Sequence, residues 1–170
     1  LAFPVLREFH LPATIFVTTG FLDGTEMLWF QRVDLALGRT SKPHLDWKFE
    51  HGKERLPLGT REQRRHALTR LLTALKCLPD VDFLGEIDRL ERTLGVQEPT
   101  LADLPVPMRP MTWDQARDMA ASSLIEIGGH THTHPILARC DSASMRGEIV
   151  TCRDRITTEL GAPATDFCYP

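Results

Sequence analysis

Residues 124–135 of the chain read Leu-Ile-Glu-Ile-Gly-Gly-His-Thr-His-Thr-His-Pro. The apolar run at 124–127 predicts a short strand, and the two glycines after it favour a tight backbone turn. Pro135 suits the first turn of a helix or another tight turn. Three of the chain's seven histidines are therefore expected just beyond the C-terminal end of a strand. Parallel α/β folds place their chemistry at that end.

The spacing of the three histidines is compatible with two geometries that predict different metal ligands. In an extended chain, His130, His132 and His134 point to one face, because the side-chain period of a strand is two. In a helical turn, His130 and His134 share a face and His132 points elsewhere. The flanking glycines and proline favour the turn, so we predict His130 and His134 as ligands. The alternative is that these are ordinary surface or hydrogen-bonded histidines.

Two histidines do not complete a catalytic metal site. Catalytic zinc usually takes three protein ligands and leaves one position for water, and the reaction needs a base, usually a carboxylate. Asp23 follows the strand predicted over 13–19 and Asp166 opens the last predicted strand, and both are interpreted as ordinary loop or turn residues. The missing carboxylates are therefore expected upstream of Leu1.

Composition bounds the class of protein. At 170 residues the chain is long enough for one domain with a sizeable core, and 42% hydrophobic and 25% charged residues are ordinary for a globular protein. A net charge of −3 indicates no attraction to nucleic acid or anionic membranes. No apolar run reaches the ~20 residues of a membrane span. The four scattered cysteines are predicted to be mostly buried thiols. From the abrupt ends we expect the chain to be a fragment of a longer protein.

The remaining pattern predicts alternating helices and strands. A helix is expected over residues 1–9, and strands are expected over 13–19 and 166–170. Thr112 is the predicted N-cap of a helix over 113–121. Asp141 or Ser142 is expected to cap a long helix that ends at Gly161. This order predicts a parallel α/β sheet or barrel.

Residues 23–108 differ in character and are predicted to be a helical insertion without strands. Helices are expected over residues 27–37, after a capping box at Thr60, and from Asp80 to Gly95. Residues 39–59 are predicted to be mainly loop. A basic cluster in this block suits either an anionic polymer or a solvated helix face, and the second is favoured because no aromatic residues interleave. Its members are Lys53, Arg55, Arg61, Arg64, Arg65 and Arg70.

Four segments together resemble polysaccharide deacetylases with the NodB homology domain. They are Pro-Ala-Thr-Ile-Phe-Val at 12–17, Met-Thr-Trp at 111–113, the histidine stretch at 125–137 and Phe-Cys-Tyr-Pro at 167–170. They occur in the family's order. The resemblance implies a distorted (β/α) barrel, of which this chain is a part. It also implies a hydrolase that removes N- or O-acetyl groups from a polysaccharide or oligosaccharide.

The family's histidine motif, His-Ser/Thr-x-x-His, is matched by His130, Thr131 and His134. The resemblance implies that the two histidines bind a divalent metal, often zinc, and that Thr131 supports the loop by hydrogen bonding. His132 falls at a variable position of the motif. Tyr169 and Pro170 match the next motif, near the acetyl-binding and oxyanion region.

The resemblance also implies what this chain lacks. The family's Thr-Phe-Asp-Asp-Gly strand, with the base and the third ligand, is expected before Leu1, and the catalytic acid after Pro170. Many members have Arg where this chain has Cys168. The chain alone is therefore expected to be inactive.

Two other functions stay open. One is a different metal-dependent amidohydrolase that uses His130 and His132 as an H-x-H pair. The other is a carbohydrate-binding relative without catalysis. The expected partner is an acetylated polysaccharide or oligosaccharide, with no nucleic acid and no membrane span. The oligomeric state stays open, as does the choice between bacterial cytoplasm and cell envelope.

Overall fold

A computed structural model of the chain describes residues 2–78 and 80–170. The chain divides into two compact units. The first unit comprises Leu1–Met27 and Val106–Pro170, and the second unit comprises Leu28–Pro105. Leu1, which opens the predicted N-terminal helix, lies outside the described residues. That residues 23–108 form an insertion within one domain stays a prediction.

Helices and strands follow one another along the chain without strict alternation. In chain order they are α1 (Phe3–Glu8), β1 (Ala13–Val17), α2 (Thr19–Leu22), α3 (Trp29–Arg39), β2 (His44–Phe49), β3 (Gly52–Pro57), α4 (Arg61–Leu75), α5 (Asp80–Leu94), α6 (Trp113–Ala120), β4 (Ile125–Gly129) and α7 (Ser142–Leu160). Short 3₁₀ turns lie at Leu101–Asp103, Val106–Met108 and Leu137–Arg139.

The sheet of the first unit is built on the parallel pair β1 and β4. The register runs from Ala13 opposite Ile125 to Val17 opposite Gly129, so the expected parallel α/β arrangement is confirmed. The strand predicted at 166–170 is reduced to one parallel bridge, between Phe167 and Gly129. Because β1 and β4 are parallel and Val17 lies opposite Gly129, the carboxyl ends of these two strands lie side by side at one edge of the unit.

Helices α6 and α7 contact β4 and cover it with apolar side chains. The predicted caps are present. Thr112 forms a capping box with Gln115, and the Asp141 carboxylate accepts hydrogen bonds from the first turn of α7. Gly161 ends α7 with a φ of 74°. The buried core of the unit consists of Val17, Trp113, Ala116, Met119, Ile125, Ile127, Cys152 and Ile156.

The sequence suggested that the two glycines before the histidines break the strand, and this expectation is wrong. Gly128 and Gly129 are the last residues of β4. A Cβ on Gly128 would lie 2.6 Å from ring carbons of Phe16, and one on Gly129 would lie 3.1 Å from the ring of Phe167. Glycine is therefore needed here for close packing rather than for turning.

The second unit contains a β-hairpin that the sequence analysis missed. Strands β2 and β3 pair antiparallel from His44 opposite Pro57 to Phe49 opposite Gly52. The prediction of loop over 39–59, and of an insertion without strands, is therefore wrong. Leu45, Trp47 and Leu56 alternate with exposed charged residues and point into the core. The alternation was present in the sequence, but each strand is short and proline and glycine flank it.

The predicted helices of the second unit are confirmed. Helix α4 begins with the capping box at Thr60, and Gly95 ends α5 with a φ of 70°. The cap predicted at Asp80 involves a side chain outside the described residues. In the basic cluster, Arg55 pairs with Asp46 and Arg70 pairs with Glu54. Arg64 donates to backbone carbonyls at the end of α3 and to that of Leu58. Much of the cluster is thus engaged within the unit.

Two further expectations concern the whole chain. Among the described residues, no helix combines the length and apolarity that crossing a bilayer requires. The prediction of mostly buried thiols is wrong. Cys152 is buried, but Cys77 and Cys168 are exposed and Cys140 is half-buried.

Candidate functional site

The segment 130–135, which we call the histidine loop, leaves the end of β4 as a series of bends. Thr131 and His134 each have a φ of 66°, and these left-handed residues make the turns. The helical turn expected from the sequence is absent from this segment. The loop nevertheless brings the rings of His130 and His134 together, with centroids 4.8 Å apart and planes at 78°. The two predicted ligands are therefore neighbours, by a route that the sequence did not indicate.

The end of β1 holds the backbone of the loop. The His130 N–H donates to the Val17 carbonyl at 3.0 Å, and the Gly20 N–H donates to the His132 carbonyl at 2.8 Å. The Thr18 hydroxyl donates to the carbonyl of His130 at 3.0 Å. These bonds continue the β1–β4 ladder past the strands, so the position of the loop follows from the sheet.

Thr131 stabilises the loop from within by two hydrogen bonds of its hydroxyl. Its side chain is fully buried, its hydroxyl accepts from the His134 N–H at 3.0 Å, and it donates to the His130 carbonyl at 2.5 Å. A β-branched residue at positive φ is a conformational outlier that costs about 1–2 kcal/mol. The two hydrogen bonds offset that cost and connect the two histidines.

The ring of His130 is oriented by a backbone carbonyl. Its Nδ1 lies 2.9 Å from the carbonyl oxygen of Cys168. Because a carbonyl oxygen can only accept, we assign the hydrogen to Nδ1, which leaves the lone pair on Nε2. A metal-binding histidine is commonly oriented in this way. The contact comes from the backbone of Cys168, so it does not depend on the side chain at that position.

His134 is held in an environment that favours its neutral form. Burial and the neighbouring His130 lower the pKa of its imidazole. Metal binding requires an unprotonated ring nitrogen. The environment of His134 is therefore suited to a ligand rather than to a charged surface histidine.

His132 is engaged elsewhere. Its Nδ1 lies 2.9 Å from the hydroxyl of Thr19, at the start of α2. Thr19 itself is fully buried. The middle histidine of the stretch therefore connects the loop to α2.

The sequence analysis missed Glu148 on α7. One carboxylate oxygen accepts from the N–H groups of His132 and Thr133, each at 2.8 Å, and the other accepts from the Thr133 hydroxyl at 2.7 Å. The available signal was its spacing. Glu148 precedes the buried Cys152 by four residues, so it lies on the helix face that looks toward the sheet.

Asp23 and Asp166, the two acidic residues considered from the sequence, both form hydrogen bonds within the fold. Asp23 accepts from the indole N–H of Trp113 at 2.7 Å and forms a bidentate pair with Arg155. Burial alone would raise the pKa of Asp23, but the hydrogen bonds from Arg155 and Trp113 outweigh it and lower the pKa. Asp166 contributes its backbone carbonyl to the N–H of Gly129.

The residues of the predicted substrate region, Tyr169 and Pro170, follow Phe167 in the chain. Phe167 pairs with Gly129, the residue directly before the histidine loop. Tyr169 is 72% exposed and its ring meets that of Phe167 edge-on at 5.5 Å. Pro170 is half-buried. An exposed aromatic ring near the carboxyl ends of the strands is available for contact with a sugar.

The donor set suits part of a metal site. Two imidazoles with one assigned tautomer are typical zinc donors, and catalytic zinc takes three protein ligands. Within residues 2–78 and 80–170, no group of three or more His, Cys, Asp or Glu side chains is arranged to hold a metal ion. The residues present therefore fit two positions of a coordination shell.

Together, the parallel strands and the histidine pair define a mixed α/β protein with its candidate site at the strand ends. The family model of polysaccharide deacetylase matches residues 82–170, which is just over half of the chain, and the chain belongs to that family. The match contains the whole histidine loop and α7. Family membership makes a carbohydrate the substrate and deacetylation the general activity. No curated protein and no solved structure matches the chain significantly.

Proposed function

We propose that the chain forms the metal-histidine part of a metal-dependent carbohydrate deacetylase, with His130 and His134 as two ligands of one divalent cation. The observation that carries this proposal is the 4.8 Å separation of the two rings inside the matched region. Zinc is the expected metal, because imidazole nitrogens suit it and the family commonly uses it. The reaction is hydrolysis of an N- or O-acetyl group on a polysaccharide or oligosaccharide.

The residues around the histidine pair have separate tasks in this proposal. The Cys168 carbonyl holds the hydrogen on Nδ1 of His130, so that Nε2 is available to the metal. Thr131 fixes the backbone of His134 relative to that of His130. A divalent cation bound by the pair supplies activation of water and polarisation of the acetyl carbonyl. Tyr169 and Pro170 are proposed to border the acetyl group of the substrate.

The base and the third ligand are proposed to come from outside residues 1–170. Asp23 is unsuited to either task, because Arg155 and Trp113 occupy its carboxylate oxygens. The chain alone is therefore expected to show little or no hydrolysis of an N-acetylglucosamine oligomer. The parallel pair β1–β4 with its covering helices is compatible with a segment of a distorted (β/α) barrel, which we propose as the fold of the whole domain.

Metal titration of single variants tests the ligand assignment. His130→Ala and His134→Ala are each expected to weaken Zn²⁺ binding at least tenfold, since each removes a nitrogen that is proposed to bind the metal. His132→Ala is the matched control and is expected to keep the affinity, because its ring contacts Thr19. Loss of binding in His132→Ala with retention in His134→Ala would instead favour the H-x-H amidohydrolase.

A further inference from the structure

Glu148 has no task in the proposed reaction, yet its side chain is hydrogen-bonded to the histidine loop at both carboxylate oxygens. Its two carboxylate oxygens accept three hydrogen bonds of 2.7–2.8 Å, two from the N–H groups of His132 and Thr133 and one from the Thr133 hydroxyl. All three donors lie between His130 and His134 in the chain.

The carboxylate is presented by a rigid element. Helix α7 is capped by Asp141 at its start and by Gly161 at its end. Its buried residues Cys152 and Ile156 belong to the core under the sheet. Glu148 therefore connects the middle of the loop by hydrogen bonds to a helix whose position the core fixes. Residues at and just after the end of β1 form the other hydrogen bonds to the loop backbone.

The loop needs such a tie because its backbone is strained. Thr131 and His134 both have a φ of 66°, and the segment that Glu148 holds lies between them. Left-handed conformations of non-glycine residues persist only where the surroundings over-determine them. Without the carboxylate, Thr131 and His134 would be free to relax toward ordinary φ values, and the two rings would move apart.

We propose that Glu148 is a positioning residue that sets the separation of His130 and His134 and thereby raises the affinity of the loop for a divalent cation. This inference rests on the proposed function, because it takes the two histidines as metal ligands. Glu148 acts through the backbone of residues 132 and 133 and does not itself bind the metal.

Three substitutions separate the length of the side chain from its charge. Glu148→Ala removes all three hydrogen bonds. Glu148→Asp keeps the charge but is one methylene too short to reach the loop. Glu148→Gln keeps the length, since its amide oxygen has two lone pairs for the two N–H groups and its NH₂ can donate to the Thr133 hydroxyl. Asp154→Ala is the matched control, because it removes an exposed carboxylate from the same helix.

The readouts are Zn²⁺ affinity by calorimetry, the visible absorption spectrum of the Co²⁺-loaded protein, and hydrogen exchange at the amides of His132 and Thr133 without metal. Glu148→Ala and Glu148→Asp are expected to bind Zn²⁺ about 10–100-fold more weakly, as is typical when a residue that orients metal ligands is lost, and to alter the Co²⁺ spectrum. They are also expected to speed exchange at both amides. Glu148→Gln is expected to stay within about threefold of the parent, and Asp154→Ala to be unchanged.

The outcomes distinguish this inference from the proposal beneath it. If His130→Ala weakens Zn²⁺ binding but Glu148→Ala and Glu148→Asp do not, the positioning role is wrong and the ligand assignment stands. Equal losses in Glu148→Gln and Glu148→Ala would also overturn the role, because the amide preserves the hydrogen bonds. If His130→Ala and His134→Ala leave the affinity unchanged, both proposals fall. Should Glu148→Ala not fold, the comparison of Asp with Gln decides the matter.

Discussion

The hydroxyl of Thr131 lies 3.0 Å from the backbone nitrogen of His134 and accepts its hydrogen bond. Both residues have a φ of 66°, and Thr131 is fully buried. The second residue of the motif therefore fixes the backbone of its last histidine. A hydroxyl at this position closes a turn that regular helical or extended backbone would not make.

Thr131→Val is expected to destabilise the first unit by about 1–3 kcal/mol, because it leaves the His134 N–H without this acceptor at a buried position. It is also expected to weaken Zn²⁺ binding. Urea unfolding and metal titration measure the two effects. Thr131→Ser keeps the hydroxyl and should keep the metal affinity, while the lost methyl costs about 0.5–1.5 kcal/mol. Similar metal affinities for Val and Ser would contradict the role of the hydroxyl.

Gly20→Ala is expected to displace the histidine loop. The new Cβ would lie 2.8 Å from the carbonyl oxygen of His132 and 2.7 Å from Cγ of Glu26. The side chain of Glu26 can move, but the carbonyl belongs to the loop backbone, so we expect a loss of about 1–3 kcal/mol together with weaker Zn²⁺ binding. Thermal unfolding and metal titration provide the test.

Gly147→Ala is the matched control for that substitution. Gly147 lies inside α7, and a Cβ there would meet nothing within 4 Å. Alanine in a helix interior is expected to stabilise the protein by roughly 0.5–1 kcal/mol. If both glycine variants behaved alike, the close approach at Gly20 would not be the cause of the effect.

Asp23 is expected to make the first unit sensitive to acid. Because its pKa is lowered in the folded protein, the unfolded chain takes up this proton at a higher pH than the folded one. Its stabilising contribution is therefore complete above the ordinary value of 3.8 and is lost as the pH falls through the lower folded pKa. Unfolding midpoints between neutral pH and about pH 3 measure this loss.

Asp23→Asn should remove that part of the acid dependence and cost about 1–3 kcal/mol at neutral pH, since Arg155 loses its bidentate partner. Asp114→Asn serves as the control, because Asp114 is 86% exposed in its pair with Arg117 and such pairs contribute little. An acid profile for Asp23→Asn identical to that of the parent protein would refute the assignment.

The second unit is expected to depend on the buried pair of Arg32 and Glu91. Glu91 is 4% exposed and accepts at 3.0 and 2.7 Å from the guanidinium of Arg32, which is 11% exposed. Glu91→Ala leaves that cation without its buried partner and should cost about 3–5 kcal/mol. Asp88→Asn removes a half-exposed contact to the same Arg32 and should cost less than about 1 kcal/mol. Comparable urea midpoints for both variants would argue against the predicted dependence of the second unit on the Arg32–Glu91 pair.

Local signals accounted for the parts of the fold that depend on neighbours in sequence. The caps at Thr60, Thr112 and Asp141 were readable because a capping side chain bonds to backbone within three residues of itself. The strands β1 and β4 were readable from their apolar and β-branched residues. The hairpin β2–β3 was not recognised, because its short alternation is interrupted and only packing against the helices identifies the buried side.

The candidate site shows the same division. A short motif identified His130 and His134, but their proximity arises from left-handed residues rather than from the helical turn that periodicity suggested. Glycine at 128 was interpreted as a turn residue, although the ring of Phe16 on a strand 112 positions earlier in the chain is what excludes a side chain there. A contact between residues so far apart in the chain cannot be recognised from the spacing of neighbouring residues.

The sequence by itself determined the parallel α/β class, the helix ends and the identity of the two paired histidines, because each depends on residue types within a few positions. Only the tertiary structure decided how those histidines are held. Glu148, the end of β1 and the Cys168 carbonyl reach the loop from separate elements of the first unit. The physical reason is that a strained loop takes its shape from hydrogen bonds to distant segments, and those segments meet only when the sheet and α7 pack together.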